Sequence, residues 1–245
     1  MKRFILMIQF LTRIPIRFNL NVTEEDFLNG IIYFPLVGLI IGIFILAGYY
    51  VGLSLGGSFL AAVFAVIVEI IITGGLHLDG LADTFDGIYS NRPKDRVLEI
   101  MKDSRLGTNG ALALFSVLIT KMALINKIPI PYIYPILLLM PVASRLNIVI
   151  ACKIGKTAKA NGMGNLFIAK ITNMQLIIAY VISIVLALLF PIAILCILIV
   201  NLFALWYVRH ITLKIDGITG DILGSLIELS EIMFLLSYII FFIFI

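Results

Sequence analysis

Long apolar runs, separated by short polar stretches, set the pattern of this chain. One run extends from Ile31 to Leu53, a Gly56-Gly57 pair marks a turn, and a second run covers Ser58 to Thr73. A polar segment from Gly74 to Thr108 follows, then a third run from Asn109 to Asn126. The turn Lys127-Ile-Pro-Ile-Pro131 leads into a fourth, Tyr132 to Cys152, and then a polar loop rich in Lys and Gly, Lys153 to Asn173. Residues 174–208 form an apolar stretch too long for one straight crossing, and Pro191 divides it in two. A third polar loop, Arg209 to Gly224, precedes a last run from Ser225 to Ile245. Ahead of all of these, residues 1–30 predict a short amphipathic or interfacial helix and a polar link from Asn19 to Gly30. About 20 apolar residues carry a helix across the hydrocarbon core. The pattern therefore predicts an all-α fold, a polytopic integral membrane helical bundle with about seven transmembrane helices. No internal repeat or low-complexity linker interrupts it, so residues 1–245 read as a single domain.

Composition agrees with a lipid environment. Of the 245 residues, 62% are hydrophobic and 13% charged, against about 45–50% and about 25% in soluble domains. The two cysteines, Cys152 and Cys196, cannot form a disulfide framework and have no metal-ligand neighbours at useful spacing. Arg13 and Arg17 follow the first short apolar stretch with no small-residue cleavage site, unlike a signal peptide. The formal charge of +4 does not call for nucleic acid, because its distribution has a simpler cause. Fifteen of the 18 lysines and arginines fall in the N-terminal arm and the three polar loops. That asymmetry predicts a cell-membrane protein whose N-terminus and polar loops are cytoplasmic.

Chemistry concentrates in Gly74-Gly-Leu-His-Leu-Asp-Gly-Leu-Ala-Asp-Thr-Phe-Asp-Gly87. On a helix, Asp79, Asp83 and Asp86 fall at about 0°, 40° and −20°. Like charges on one helical face repel, and a hard divalent cation such as Mg²⁺ or Mn²⁺ removes the penalty. Gly80 and Gly87 leave bare backbone where a phosphate could approach. His77 reads equally as a ligand, a base or an ordinary hydrogen-bonded loop histidine. Glu69, Glu228 and Glu231 lie inside apolar runs, where carboxylates are costly. They read as functional candidates, and Glu228 and Glu231, three apart on one face, alternatively as neutral or lysine-paired carboxyls near the interface. Asp103-Ser104-Arg105, with Lys102 before it and Gly107 and Gly110 after it, forms a second polar cluster, and Arg105 suits bidentate phosphate binding. A third, Asp216-Gly-Ile-Thr219-Gly220-Asp221 with Gly224, reads as a site or a helix-capping turn. No Walker-type loop, HExxH, CxxC or GxSxG is present, so a hydrolase or nucleotide-driven pump has little support.

The run Leu-His-Leu-Asp-Gly-Leu-Ala-Asp-Thr-Phe-Asp-Gly resembles the signature of the cobalamin synthase family, the adenosylcobinamide-GDP ribazoletransferases. Phe10-Leu-Thr-Arg-Ile-Pro15, Met101-Lys-Asp-Ser-Arg-Leu-Gly107 with Gly110, and Thr219-Gly-Asp221 with Gly224 extend the resemblance from residue 10 to 224. Asp216-Gly217 departs from it, standing where a Gly-Gly pair is expected. The resemblance implies a Mg²⁺-dependent membrane phosphotransferase that joins adenosylcobinamide-GDP to α-ribazole or its 5′-phosphate and releases GMP. It implies that Asp79, Asp83 and Asp86 hold Mg²⁺ and that Asp86 or Asp221 is the base. Lys102 and Arg105 would neutralise phosphate oxygens. His77, Gly80, Gly87, Asp103, Ser104, Thr219 and Gly220 would contact substrate. Two rivals are weighed. The acidic spacing is more distantly similar to that of the CDP-alcohol phosphotransferases, but Asp83-Thr84 stands where they carry Ala-Arg. A cation-coupled transporter would use the intramembrane acids, whereas the richest acidic cluster lies at the cytoplasmic edge. The oligomeric state, homo-oligomer included, stays open.

Overall fold

Glycine spacing decides how the apolar runs pair. The computed structural model describes residues 1–18, 21–159, 162–188 and 190–244. The first two runs lie in α3 (Phe34–Thr73), whose backbone leaves the helical region at Gly56 and at Gly57, the latter with φ 82°. The helix is thus a hairpin, turned where the sequence predicts. A Cβ at Gly48 would meet Val68 and the carbonyl of Phe64, and one at Gly52 would meet Leu60 and Ala61. The two arms therefore touch backbone to backbone, as small residues four apart permit between membrane helices. Gly38 and Gly42, on the first arm, receive the backbone of Pro141, Leu137 and Leu138 in the same way. Gly38→Ala should cost about 1–3 kcal/mol by overpacking against a backbone that cannot yield. Ile43→Ala, on the outward side of the same arm, should cost much less. Melting temperatures of the two purified variants in detergent check this.

That opposing backbone belongs to α7 (Ile130–Ile154), the central helix, buried along nearly its whole length. Around it stand α3, α8 (Asn173–Ala187), α9 (Ile192–Ile215) and α10 (Gly220–Phe244). On the far side of α10 and α3 lies α6 (Thr108–Lys127). Among the described residues, five helices are long and apolar enough to cross a membrane. The hairpin divides one of them, and α8 adds a shorter apolar helix, in keeping with the expected count. Phe115 and Ile119 on α6, Ile177 and Val181 on α8, and Leu198 and Leu202 on α9 all point outward. A water-exposed belt of that kind would be an association liability; against lipid it is the ordinary surface of the bundle.

Four shorter helices gather at one end: α1 (Lys2–Leu11), α2 (Glu24–Gly30), α4 (Leu76–Ile88) and α5 (Lys94–Ile100). The structure corrects the expected boundaries in two places. Part of the polar link is helical, because Thr23 and Asp26 form a capping box that starts α2. The third polar loop shrinks to residues 216–219, because α9 continues to Ile215 with Val208, Ile211 and Ile215 buried and Arg209 and Lys214 outward. Asp216 ends that helix at φ 60°. The expected Gly-Gly pair is thereby explained: the position is left-handed, and aspartate is among the few other residues that tolerate it. The predicted start of the link at Asn19 and end of the last run at Ile245 lie outside the described residues.

Candidate active site

The chain leaves the α3 hairpin through two left-handed glycines, Gly74 and Gly75, at φ 65° and 70°. They turn it into α4, which lies across the start of α10. A Cβ at Gly80 would strike the Asp221 backbone, and Gly224 faces His77 and Gly80 from the other helix. The helices thus cross with no side chain between them, and the aspartates of α4 come beside Asp221. This corrects the reason for two glycines. Gly80 lines a cavity, but the space its missing side chain frees is filled by Asp221. Gly87 accommodates Met101 and Val97 around α5 and takes no part in the cavity lining.

The cavity, about 220 Å³, holds Asp79, Asp221, Thr219, Gly220, His77 and Lys159 on its polar side. Lys159 Nζ donates to Asp221 Oδ2 at 3.0 Å, and Thr219 Oγ1 donates to the same oxygen at 3.2 Å. Asp83, half-buried one turn beyond Asp79, is pushed up to about 7 by burial and then by the charges of Asp79 and Asp221, with Lys159 opposing. Asp86 has a separate task. Its two oxygens accept the N–H groups of Gly107 and Gly110, at 2.7 and 2.8 Å. A carboxylate there satisfies the open donors at the start of α6 and complements its dipole, and each oxygen keeps a second lone pair. The three aspartates of α4 are therefore neighbours without forming a tight cage. Among the described residues, the trio whose oxygens lie within 4.8 Å of one another is Glu69, Glu228 and Glu231.

That trio already holds a cation. Lys121 Nζ lies 3.1 Å from Glu69, 2.8 Å from Glu228 and 2.6 Å from Glu231, all buried. Arg145 on α7 also pairs with Glu231, whose Oε1 accepts from Ser144 Oγ at 3.0 Å as well. The lysine-paired reading of the intramembrane acids is the one the geometry shows, and these acids no longer support a transporter. Above the network, burial and the nearby charges of Arg145 and Lys121 hold His77 down to about 3, a neutral imidazole.

The second polar cluster stands apart from the cavity. Arg105 Nη2 lies 2.6 Å from Asp103 Oδ2 in an exposed pair, and Lys102 and Ser104 are exposed beside it. Gly107, two residues on, ties this loop to Asp86. Reading the sequence missed Lys159, counted only as an orientation charge, and Phe10, Phe34 and Phe167, which line the cavity. Nothing local marks Lys159, since its partner Asp221 lies 62 positions away.

A carboxylate-lined cavity at one end of an apolar helical bundle is the arrangement of a polytopic membrane enzyme. Comparison with known proteins narrows the class: residues 3–239 match the family described as cobalamin-5-phosphate synthase, and the chain belongs to that family. It is 43% identical over 257 residues to the adenosylcobinamide-GDP ribazoletransferase of Clostridioides difficile, covering all of both chains. It is 46% identical over 237 residues to the protein of that name from Alkaliphilus metalliredigens, covering 96% of this chain and 94% of the relative. The Clostridium novyi protein of that name is 43% identical over 244 residues, 98% of each. No solved structure matches.

Proposed function

We propose that the chain transfers the adenosylcobinamide phosphate group from adenosylcobinamide-GDP to α-ribazole or its 5′-phosphate. A ribazole hydroxyl oxygen forms the new bond to the corrinoid-side phosphorus, the bond to the bridging pyrophosphate oxygen breaks, and GMP leaves. The observation that carries this reading is the cavity lined by Asp79, Asp221 and Lys159, with Asp83 one turn along α4 from Asp79, in a chain of this family. Asp221 lines the cavity and Asp86 does not, so of the two candidate bases Asp221 is the better placed to accept the hydroxyl proton. Lys159 holds Asp221 in place and offers positive charge to the phosphates. Arg105, exposed and paired with its neighbour Asp103, can turn toward a phosphate oxygen.

The donor set fits Mg²⁺. It is all oxygen, as a hard ion prefers, and the crowding that raises Asp83 is the penalty a divalent ion would remove. Asp79 and Asp83 would hold it, with Asp86 adding the lone pairs its N–H donors leave. When bound, such an ion neutralises pyrophosphate charge and stabilises the charge developing on the leaving group. By the charge asymmetry of the loops, the cavity opens to the cytoplasm.

GMP release from adenosylcobinamide-GDP and α-ribazole by the purified protein in lipid vesicles tests the reading. Release should stop with a chelator and return with Mg²⁺; no release under any metal overturns it. The apparent metal affinity should fall as pH drops below about 7, because the ion must then displace a proton from Asp83.

A further inference from the structure

Opposite the carboxylates, the cavity wall is aromatic. Phe10 from α1, half-buried, lines it, backed by the buried Phe34 from the start of α3 and Phe167, just beyond the Met163–Leu166 turn. Phe167 is the hub, with ring centroids of Phe34, Phe10 and Phe27 at 5.5, 5.8 and 6.4 Å. Leu11 and Ile148 continue the apolar wall. His77 lines the same cavity but is only 4% exposed, and its Nε2, unpartnered among the described residues, is closed off from the open space.

We propose that this wall is the subsite for the acceptor's base. It takes a ribonucleoside with an apolar fused-ring base, the dimethylbenzimidazole of ribazole. The inference rests on the transfer reading above and deepens it. Three observations converge. At about 220 Å³ the cavity is smaller than the about 300–1,000 Å³ of pockets that enclose drug-sized ligands; it holds a bicyclic base but not a corrin ring, so the corrinoid lies outside. The wall is carbon, and guanine's several polar edge atoms would be stranded against it, whereas dimethylbenzimidazole has one free ring nitrogen to satisfy. Finally, Asp79 and Asp221 border the same cavity, so a base seated on the phenylalanines brings its ribose hydroxyls to the carboxylates.

Equilibrium binding of α-ribazole, with GMP as comparison ligand, to the purified protein without donor or metal is the test. Wild-type protein should bind ribazole with GMP competing poorly. Phe10→Ala, which removes the one half-buried ring of the three, should weaken ribazole binding about ten- to a hundredfold, as loss of a base-stacking ring does. Phe10→Leu, which keeps apolar bulk at that position, should weaken it less but measurably and remains informative if Phe10→Ala does not fold. Both should raise KM for ribazole and leave KM for adenosylcobinamide-GDP unchanged. Ribazole affinity unaltered in a folded variant, or GMP displacing ribazole with equal affinity, overturns the subsite and leaves the transfer reading standing. Ring-dependent ribazole binding without any GMP release would instead overturn the transfer reading and keep the subsite.

Discussion

Asp83→Asn should lower kcat/KM by about 10³-fold or more without unfolding the protein. A catalytic metal contributes several kcal/mol of charge stabilisation, and each 1.36 kcal/mol is tenfold in rate. Asparagine keeps the shape of aspartate and gives up the charge that a divalent ion needs. The companion expectation separates this from simple damage. Asp83 is crowded by Asp79 and Asp221, so its neutral counterpart relieves repulsion, and the variant should melt at the same temperature or higher. Loss of activity with gained stability is the pattern of a functional position under electrostatic strain. Parallel turnover and melting measurements in detergent check it; near-normal turnover at saturating Mg²⁺ would remove Asp83 from the proposed metal site.

The second large effect is on stability. Lys121→Met should destabilise the bundle by about 3–5 kcal/mol, the usual cost of leaving buried charge uncompensated. Lys121 is 1% exposed and is the common partner of Glu69, Glu228 and Glu231, and among the described residues Glu231 alone has a second cation, Arg145. Adding Glu69→Gln and Glu228→Gln to Lys121→Met should recover most of the loss, because amides of the same shape leave no bare charge. Thermal unfolding followed by size-exclusion of the solubilised protein measures both. An unchanged melt for Lys121→Met would mean that the ion cluster does not hold the helices together.

What the sequence made legible follows from the range of each signal. Apolar runs are local, so the crossings, the Gly56-Gly57 hairpin and the break at Pro191 could all be read. The shared face of Asp79, Asp83 and Asp86 is a matter of helical angle and was equally readable. Pairing across the bundle was not. Lys121 meets its acids over separations of 52, 107 and 110 positions, and each partner alone is an isolated intramembrane charge. Asp86 looked like a third equivalent carboxylate because nothing near it announces that the N–H groups of Gly107 and Gly110 are its partners. Gly80 looked like a bare approach for a ligand, and only the crossing of α4 with α10 shows which neighbour fills the gap. The Thr23–Asp26 cap, by contrast, is a local signal, and reading residues 19–30 as a polar link passed over it.

The lysine-centred cluster also sets an order for building the molecule. A chain emerging from the ribosome delivers Glu69 first, then Lys121 and Arg145, and the two glutamates of α10 last. Until that final helix enters, the bilayer holds two cations against a single acid. Its arrival completes the charge balance in the core and brings Asp221 to the aspartates of α4 in the same step, so an unfinished chain presents neither a settled interior nor a working site.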